Sequence, residues 1–143
     1  MHDVYYIFCD GGSRGNPGPA AAAYVVNKNG KTIYKQNKYL GIATNNEAEY
    51  QAALMAHQWA HKNVVDAGSE VQFVFDSELV TKQLKGIYKI KSKILARYII
   101  KIKKIVKEMP FSVSYTNVPR EENFEADKLV NQALNTQNLS PEK

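Results

Sequence analysis

Apolar and polar positions along the first forty residues form a pattern that predicts three β-strands. Apolar runs cover residues 4–9, 20–26 and 32–40. The first two runs are separated by a glycine- and proline-rich stretch, and the next two by "NKNG", which is typical of a hairpin turn. We therefore expect an antiparallel meander of three strands.

After these strands the pattern becomes helical. "TNNE" at residues 44–47 has the form of a capping box, and helix-favouring residues continue to about residue 62. A strand is predicted at residues 71–75, and a short helix after it ends near Gly86. A helix then extends from Ser92 towards Pro110, followed by a strand at residues 111–118 and a last helix to about Leu134. The order β-β-β-α-β-α-α-β-α predicts an α/β fold in which helices flank a mixed sheet.

The composition is typical of one globular domain over residues 1–143, with a polar tail from about residue 136. Cys9 is the only cysteine, which excludes an intramolecular disulfide and a cysteine-based metal site. The N-terminal residues lack the basic and apolar regions of a signal peptide, and no apolar run approaches the ~20 residues of a membrane helix. We expect a cytoplasmic monomer that does not bind a membrane.

Positive charge is concentrated in one part of the chain. The net charge is +5, and ten of the nineteen basic residues lie between residues 79 and 107, where there is no Asp or Glu. Such a block attracts polyanions and favours a nucleic-acid partner. A solvated lysine face on a helix is the alternative, and the charge pattern alone does not separate the two.

Four carboxylates are candidates for one site. Asp10 and Asp76 each follow an apolar run, so they meet at one sheet edge if their strands are parallel neighbours. Glu47 belongs to the capping box, which leaves Glu49 free to face the sheet, and Asp127 lies beside the apolar face of the last helix. Four carboxylates at one point are tolerated only with hard cations such as Mg²⁺, Mn²⁺ or Ca²⁺. Two such ions would suit phosphoryl transfer.

Four segments carry a resemblance to a known family. They are "DGGSRGNPGPAA", "TNNEAEYQAAL", "FVFDSELV" and "VPREENFEADKLVNQAL". In this order and spacing the chain resembles the type 1 ribonuclease H family over residues 4–134. Its short form, without a basic protrusion, is most similar to the archaeal and Gram-positive-type members. The resemblance implies a ribonuclease H-like mixed five-stranded sheet, with three antiparallel strands and then parallel strands, flanked by helices.

The resemblance also implies an activity and a catalytic site. The family cleaves the RNA strand of RNA–DNA hybrids and leaves 5′-phosphate and 3′-hydroxyl ends. Two Mg²⁺ or Mn²⁺ ions would be held by Asp10, Glu49, Asp76 and Asp127. Asp10 would bridge both ions, Asp127 would hold the ion that activates water, and Glu49 and Asp76 would hold the ion on the leaving 3′-oxygen.

Substrate contacts are implied as well. Gly11, Asn16, Asn45 and Asn46 match positions that meet the RNA strand, where amide and backbone groups can recognise a 2′-hydroxyl. Thr44 matches a position that helps to hold a DNA phosphate. For Thr44 a role as helix cap alone is the alternative, and for Asn16 a role as turn residue alone.

The chain departs from the family pattern at two points. Many members carry a histidine in the loop before the last helix, but no histidine lies between residues 116 and 127 here. Arg120 is the nearest cation and could assist catalysis in its place, although a solvated loop charge is the simpler interpretation. The segment "GIYKIKS" at residues 86–92 is too short for the basic protrusion of some bacterial members.

Three functional classes remain open at this point. The first is an endonuclease specific for RNA–DNA hybrids. The second is a catalytically weak or inactive module that binds hybrid or duplex nucleic acid on the same fold. The third is another nuclease or a transposase of the same fold.

His57 and His61 have a spacing that can bind metal, but no partner ligand accompanies them, and we interpret them as structural or exposed.

Overall fold

The computed structural model describes residues 2–138, and residues 139–143 of the expected polar tail lie outside this range. The strands of its single sheet are β1 (Val4–Ser13), β2 (Gly18–Lys28), β3 (Lys31–Ala43), β4 (Glu70–Phe75) and β5 (Ser112–Asn117). The helices are α1 (Asn45–Asn63), α2 (Glu78–Leu84), α3 (Lys93–Lys107) and α4 (Phe124–Asn138), and a 3₁₀ turn (Arg120–Asn123) precedes α4. The element order predicted from the sequence is confirmed.

The sheet is mixed, with strand order β3-β2-β1-β4-β5. β1, β2 and β3 pair antiparallel, whereas β4 is parallel to both β1 and β5. The "NKNG" turn joins β2 to β3 with positive φ at Asn29 (50°) and Gly30 (87°), as the tight hairpin turns of the primed type require. The five-stranded sheet with three antiparallel and then parallel strands is therefore confirmed.

Asp10 does not end its strand, which corrects one expectation. β1 continues to Ser13 because the glycine-rich segment stays paired with β2, and Asp10 lies opposite Ala23. The parallel ladder between β1 and β4, however, ends at Phe8 and Val74. The same register extended by two residues aligns Asp10 with Asp76, so both carboxylates lie at the edge where β4 stops.

Helices cover both faces of the sheet. On one face α1 and α3 bury the main core, which includes Tyr5, Ile7, Cys9, Tyr24 and Phe73. On the other face α4 packs with Val130 and Leu134 against Ala21 and Ala23. The alanines of β2 are small enough for helices to approach the sheet closely on both sides.

The last helix is longer than expected. It continues to Asn138, four residues beyond the predicted end near Leu134. Leu134 is buried against β2, and the Asn135 side chain accepts a hydrogen bond from Arg14, so the final turns are anchored to the sheet and its loop.

His57 joins α1 to the edge strand β5. It is fully buried, stacks on Phe73 and accepts or donates at both ring nitrogens: Nδ1 lies 2.6 Å from the Ala53 carbonyl and Nε2 lies 2.9 Å from the Tyr115 hydroxyl. Burial lowers the pKa of His57 to about 4, so the ring is neutral, with Nδ1 donating to the carbonyl and Nε2 accepting from Tyr115. The structural role expected for His57 is confirmed.

The two faces of α3 follow the sequence pattern. The basic side chains of α3, at residues 93, 97, 101 and 104, are exposed, whereas Leu95, Ile99 and Ile102 face the core.

Within the residues that the structure describes, no helix is both long and apolar enough to span a membrane.

Candidate active site

Three carboxylates from three separate elements converge at one edge of the sheet. Asp10 comes from β1, Glu49 from the first turns of α1, and Asp76 from the residue after β4. One carboxylate oxygen of each lies within 4.8 Å of those of the other two. Within residues 2–138 this is the only group of three or more acidic, histidine or cysteine side chains close enough to hold a metal ion.

Gly11 allows α1 to approach this edge. A Cβ atom at position 11 would overlap the carbonyl group of Ala48 and crowd the backbone nitrogen of Glu49. Only glycine therefore lets the helix backbone rest on β1, and this close packing holds Glu49 next to Asp10. Gly11 itself is buried and lines the cavity beside the carboxylates, where the sequence predicts a contact with RNA.

Asp127 lines a cavity that the three carboxylates also line. The cavity has a volume of about 200 Å³ and is lined by all four predicted carboxylates, together with Arg120. Asp127 lies in the first turn of α4 and is not part of the close group of three. Nη2 of Arg120 lies 3.8 Å from Oδ1 of Asp127, and the Arg120 side chain is 83% exposed, so this ion pair is long and solvated.

Burial and the neighbouring carboxylates raise the pKa of Asp10. Burial is the largest cause that raises this pKa from 3.8 to about 8, and the charges of Asp76, Asp127 and Glu49 raise it further. A hydrogen bond from the backbone N–H of Gly11 opposes the shift. Such a carboxyl takes up a proton at neutral pH unless a cation compensates its charge.

Glu49 is perturbed in the same direction. Burial raises its pKa from 4.5 to about 7, and the charge of Asp76 adds to the effect. A hydrogen bond from Ser77 and the positive charge of Arg120 oppose it. Asp10 and Glu49 thus form a site that favours a bound cation over two bare negative charges.

Asn123 supports Asp76, although no pattern in the sequence indicates this role. This buried side chain donates through Nδ2 to the Cys9 carbonyl at 2.8 Å and to Oδ2 of Asp76 at 3.2 Å. It therefore fixes the orientation of Asp76 relative to β1. No pattern distinguishes this asparagine from a solvent-facing loop residue, because its contacts join positions 114 and 47 residues apart.

The predicted substrate residues mainly hold the β1–β2 loop against α1. Oδ1 of Asn16 accepts a hydrogen bond from the backbone N–H of Asn45 at 2.9 Å. Oδ1 of Asn45 accepts one from the backbone N–H of Ser13 at 3.2 Å, and Asn45 also lines the cavity. The loop and the N-terminus of α1 are therefore linked from both sides.

Thr44 caps α1, as the capping-box pattern predicts. Its hydroxyl accepts from the backbone N–H of Glu47 at 3.1 Å, and its own N–H donates to the Glu47 carboxylate at 2.8 Å. Asn46 lies half-buried in the first turn of α1 and is not among the residues that line the cavity.

The fold and sequence are similar to proteins of one family. The family model described as "Reverse transcriptase-like" matches residues 8–133. A protein named "Ribonuclease HI" from Halobacterium salinarum is 37% identical over 131 residues, which cover 90% of this chain and 63% of the relative. "Bifunctional protein Rv2228c" from Mycobacterium tuberculosis is 35% identical over 130 residues, which cover 90% of this chain and 35% of the relative. The chain thus spans less than two thirds of these relatives' length.

Solved structures match over nearly the whole chain. RNase H1 from Halobacterium salinarum has a TM-score of 0.84 and 35% identity, over 95% of this chain and 99% of that one. The N-terminal RNase H domain of Rv2228c from Mycobacterium tuberculosis has a TM-score of 0.84 and 33% identity, over 92% and 98% of the two chains. LC11-RNase H1 in complex with an RNA/DNA hybrid has a TM-score of 0.83 and 37% identity, over 94% and 98%. With its four-segment pattern, its sheet order and these matches, the chain belongs to the type 1 ribonuclease H family.

Proposed function

We propose that this chain is a metal-dependent endonuclease that hydrolyses the RNA strand of RNA–DNA hybrids and leaves 5′-phosphate and 3′-hydroxyl ends. The observation that carries the proposal is the convergence of Asp10, Glu49 and Asp76, with Asp127 across the same cavity. The LC11 relative, which is bound to an RNA/DNA hybrid, supports the choice of substrate.

The residues present fit divalent cations. The ligand set is made only of carboxylate oxygens, which suits Mg²⁺ or Mn²⁺. Burial and then the neighbouring carboxylates raise the pKa values of Asp10 and Glu49, and a divalent cation would favour their ionised forms. In the proposal, Asp10, Glu49, Asp76 and Asp127 would hold two such ions. When bound, such ions activate water and stabilise charge on the attacking and leaving oxygens.

Other residues position the site and the substrate. Asn123 keeps Asp76 turned towards the cavity. In the proposal Asn16, Asn45 and Asn46 meet the RNA strand through the amide groups that their contacts within the protein leave free, together with the backbone of Gly11. Thr44 would meet a DNA phosphate in addition to capping α1. Replacing Asn46 by alanine should then weaken binding of an RNA–DNA hybrid and leave binding of duplex DNA unchanged.

Arg120 is the candidate that takes the place of the missing loop histidine. Its guanidinium lies near Asp127 and reaches solvent, so it can approach a phosphate or the leaving product. Arg120→Ala should lower the turnover number, whereas Lys128→Ala, which removes an exposed cation from the start of α4, should not. Equal turnover for Arg120→Ala and the wild type would leave Arg120 as a solvated loop charge.

The remaining parts of the proposal concern organisation. Residues 1–143 would act as one domain, as a monomer and in the cytoplasm. Folding would need no disulfide bond, because the chain has one cysteine, Cys9, which is buried. Sedimentation at micromolar concentration would test the monomer, since a dimer would have twice the mass.

The activity is tested with a hybrid whose RNA strand is end-labelled. Metal-dependent shortening of the RNA by the wild type, and its loss in Asp10→Asn and in EDTA, would support the nuclease. Glu121→Gln, which neutralises an exposed carboxylate in the 3₁₀ turn, is the matched control and should cut normally. Binding of the hybrid without cutting would instead favour the inactive binding module.

A further inference from the structure

Arg14 is a cation beside the four carboxylates, but it is not paired with any of them. It lies in the loop between β1 and β2 and lines the same cavity. In the described part of the chain, no carboxylate oxygen lies within 4 Å of its guanidinium. Its Nη2 instead donates to two neutral amide oxygens on α4, Oδ1 of Asn131 at 3.2 Å and Oδ1 of Asn135 at 2.7 Å.

The backbone of Arg14 is held as firmly as its side chain. Its N–H donates to the Pro19 carbonyl at 2.8 Å. A Cβ atom at Gly18 would overlap the Arg14 carbonyl group, so the loop closes tightly only with glycine at that position. Arg14 is therefore held at its backbone and at its guanidinium before any ligand arrives, which lowers the entropy cost of binding.

This arrangement leaves most of the guanidinium free. Among residues 2–138, only Nη2 has hydrogen-bond partners, so the N–H groups on Nε and Nη1 are available there, and the two amide partners do not neutralise the charge. An arginine with a planar pair of free donors and an uncompensated charge is suited to a phosphate. The tether therefore presents Arg14 as an anion-binding group at the wall of the cavity.

The position of the tether relates Arg14 to the site of cleavage. Asp127, Asn131 and Asn135 are spaced by four residues and lie on one face of α4. At a rise of about 1.5 Å per residue, the two asparagines lie roughly 6 and 12 Å along the helix from Asp127. That separation corresponds to about two to four nucleotides at a rise of about 3.4 Å per nucleotide in a strand.

We propose that Arg14 binds a phosphate of the RNA strand about two to four nucleotides from the one that is cut, and that Asn131 and Asn135 are positioning residues for it. The inference rests on the proposed function, since the strand that lies in this cavity is the one that is hydrolysed. Four carboxylates repel the anionic backbone of the substrate, and a tethered cation at the cavity wall offsets this repulsion without neutralising the metal ligands.

Arg14→Ala should raise KM for the hybrid about tenfold and change kcat much less. The slope of log affinity against log salt concentration should fall by about 0.7–0.9, as expected for one lost phosphate contact. Lys31→Ala is the matched control, because it removes one positive charge at the β2–β3 hairpin, at the opposite end of β2 from the cavity. The double variant Asn131→Ala/Asn135→Ala should also raise KM although the charge of the protein does not change. An unaltered KM and salt slope in Arg14→Ala would overturn the proposal.

A neutral methylphosphonate linkage, placed at one position at a time in either strand, identifies the phosphate. At one RNA position about two to four nucleotides from the cut it should weaken binding to the Arg14-containing protein but not to Arg14→Ala. Binding is measured by fluorescence anisotropy in an Asp10→Asn background, so a wild type that fails to cut would refute the nuclease without deciding this contact. The assignment would be overturned if the effects of the methylphosphonate and of Arg14→Ala were additive at every RNA position. It would also be overturned if the position at which they are not additive lay in the DNA strand.

Discussion

Replacing Asp10 by asparagine should stabilise the metal-free protein at neutral pH, although it should abolish activity. In the folded chain Asp10 is 9% exposed and shares its surroundings with three other carboxylates. An asparagine of nearly the same shape keeps the packing but carries no charge. The charge that Asp10 carries for its function is thus expected to lower the stability of the folded protein.

The magnitude follows from the shift in pKa. Burial and the neighbouring carboxylates raise the pKa of Asp10 from 3.8 in an unfolded chain to about 8 in the folded one. At pH 7 Asp10 is ionised in the unfolded chain but mostly protonated in the folded one. The pH lies about three units above the unfolded pKa, and at about 1.4 kcal/mol per unit this lowers the stability of the folded state by about 4 kcal/mol. Because the other carboxylates relax when Asp10 ionises, we expect Asp10→Asn to recover about 2–4 kcal/mol, or roughly 5–15 °C in Tm.

The sign of the pH dependence is defined. Below pH 3.8 the carboxyl is protonated in both states and costs nothing, and stability is lost as the pH rises towards about 8. The gain from Asp10→Asn should therefore be small at pH 4, grow by at most about 1.4 kcal/mol per pH unit, and level off above pH 8.

Urea unfolding in EDTA at pH 4.5, 6, 7 and 8.5 measures this gain. Glu121→Gln, which neutralises an exposed carboxylate, should show no comparable gain at any pH. Added Mg²⁺ should stabilise the wild type more than Asp10→Asn, since the variant lacks one of the proposed metal ligands. An Asp10→Asn protein that is no more stable than the wild type at pH 7, or a gain that is the same at every pH, would refute the reasoning.

Three further substitutions test the supports of the site and core. Gly11→Ala should lower stability by about 1–3 kcal/mol and kcat about tenfold or more, because the new methyl group pushes α1 and its carboxylate away from β1; Gly12→Ala, with 3.6 Å to the nearest atom, is the control, and equal kcat for the two variants would contradict this account. Asn123→Ala should cost about 1–3 kcal/mol in urea unfolding and lower kcat as Asp76 loses its donor, and an unchanged kcat would show that Asp76 needs no such support. Tyr115→Phe should cost about 1–2 kcal/mol by leaving a buried imidazole nitrogen without a donor, with kcat unchanged, and a wild-type unfolding midpoint would contradict the hydrogen bond.

Local signals explain why so much of the fold could be predicted from the sequence. The tight turn at Asn29 and Gly30, the capping box at Thr44 and the cap at Ser92 all lie within a few residues of the elements that they define. Element order then left few sheet topologies, and parallel pairing of β1 with β4 brought Asp10 and Asp76 together.

Contacts between distant segments could not be predicted in the same way. The continuation of β1 beyond Asp10 depends on its pairing with β2, and the length of α4 depends on packing and on the tether to Arg14. Gly11 resembles a turn glycine in the sequence, but its requirement comes from α1 packed on top of it. Asn123 likewise gains its role only through partners far along the chain.

The most direct test of the central claim compares four substrates of one sequence: an RNA–DNA hybrid, double-stranded RNA, double-stranded DNA and single-stranded RNA. Initial rates are measured with the wild-type protein in Mg²⁺ and in Mn²⁺, with each strand labelled in turn. We expect cutting of the RNA strand of the hybrid, at a rate far above those of the other three substrates, and none in EDTA. A hybrid that stays intact with both metals, or equal cutting of double-stranded RNA, would contradict the assignment of this site as a hybrid-specific nuclease.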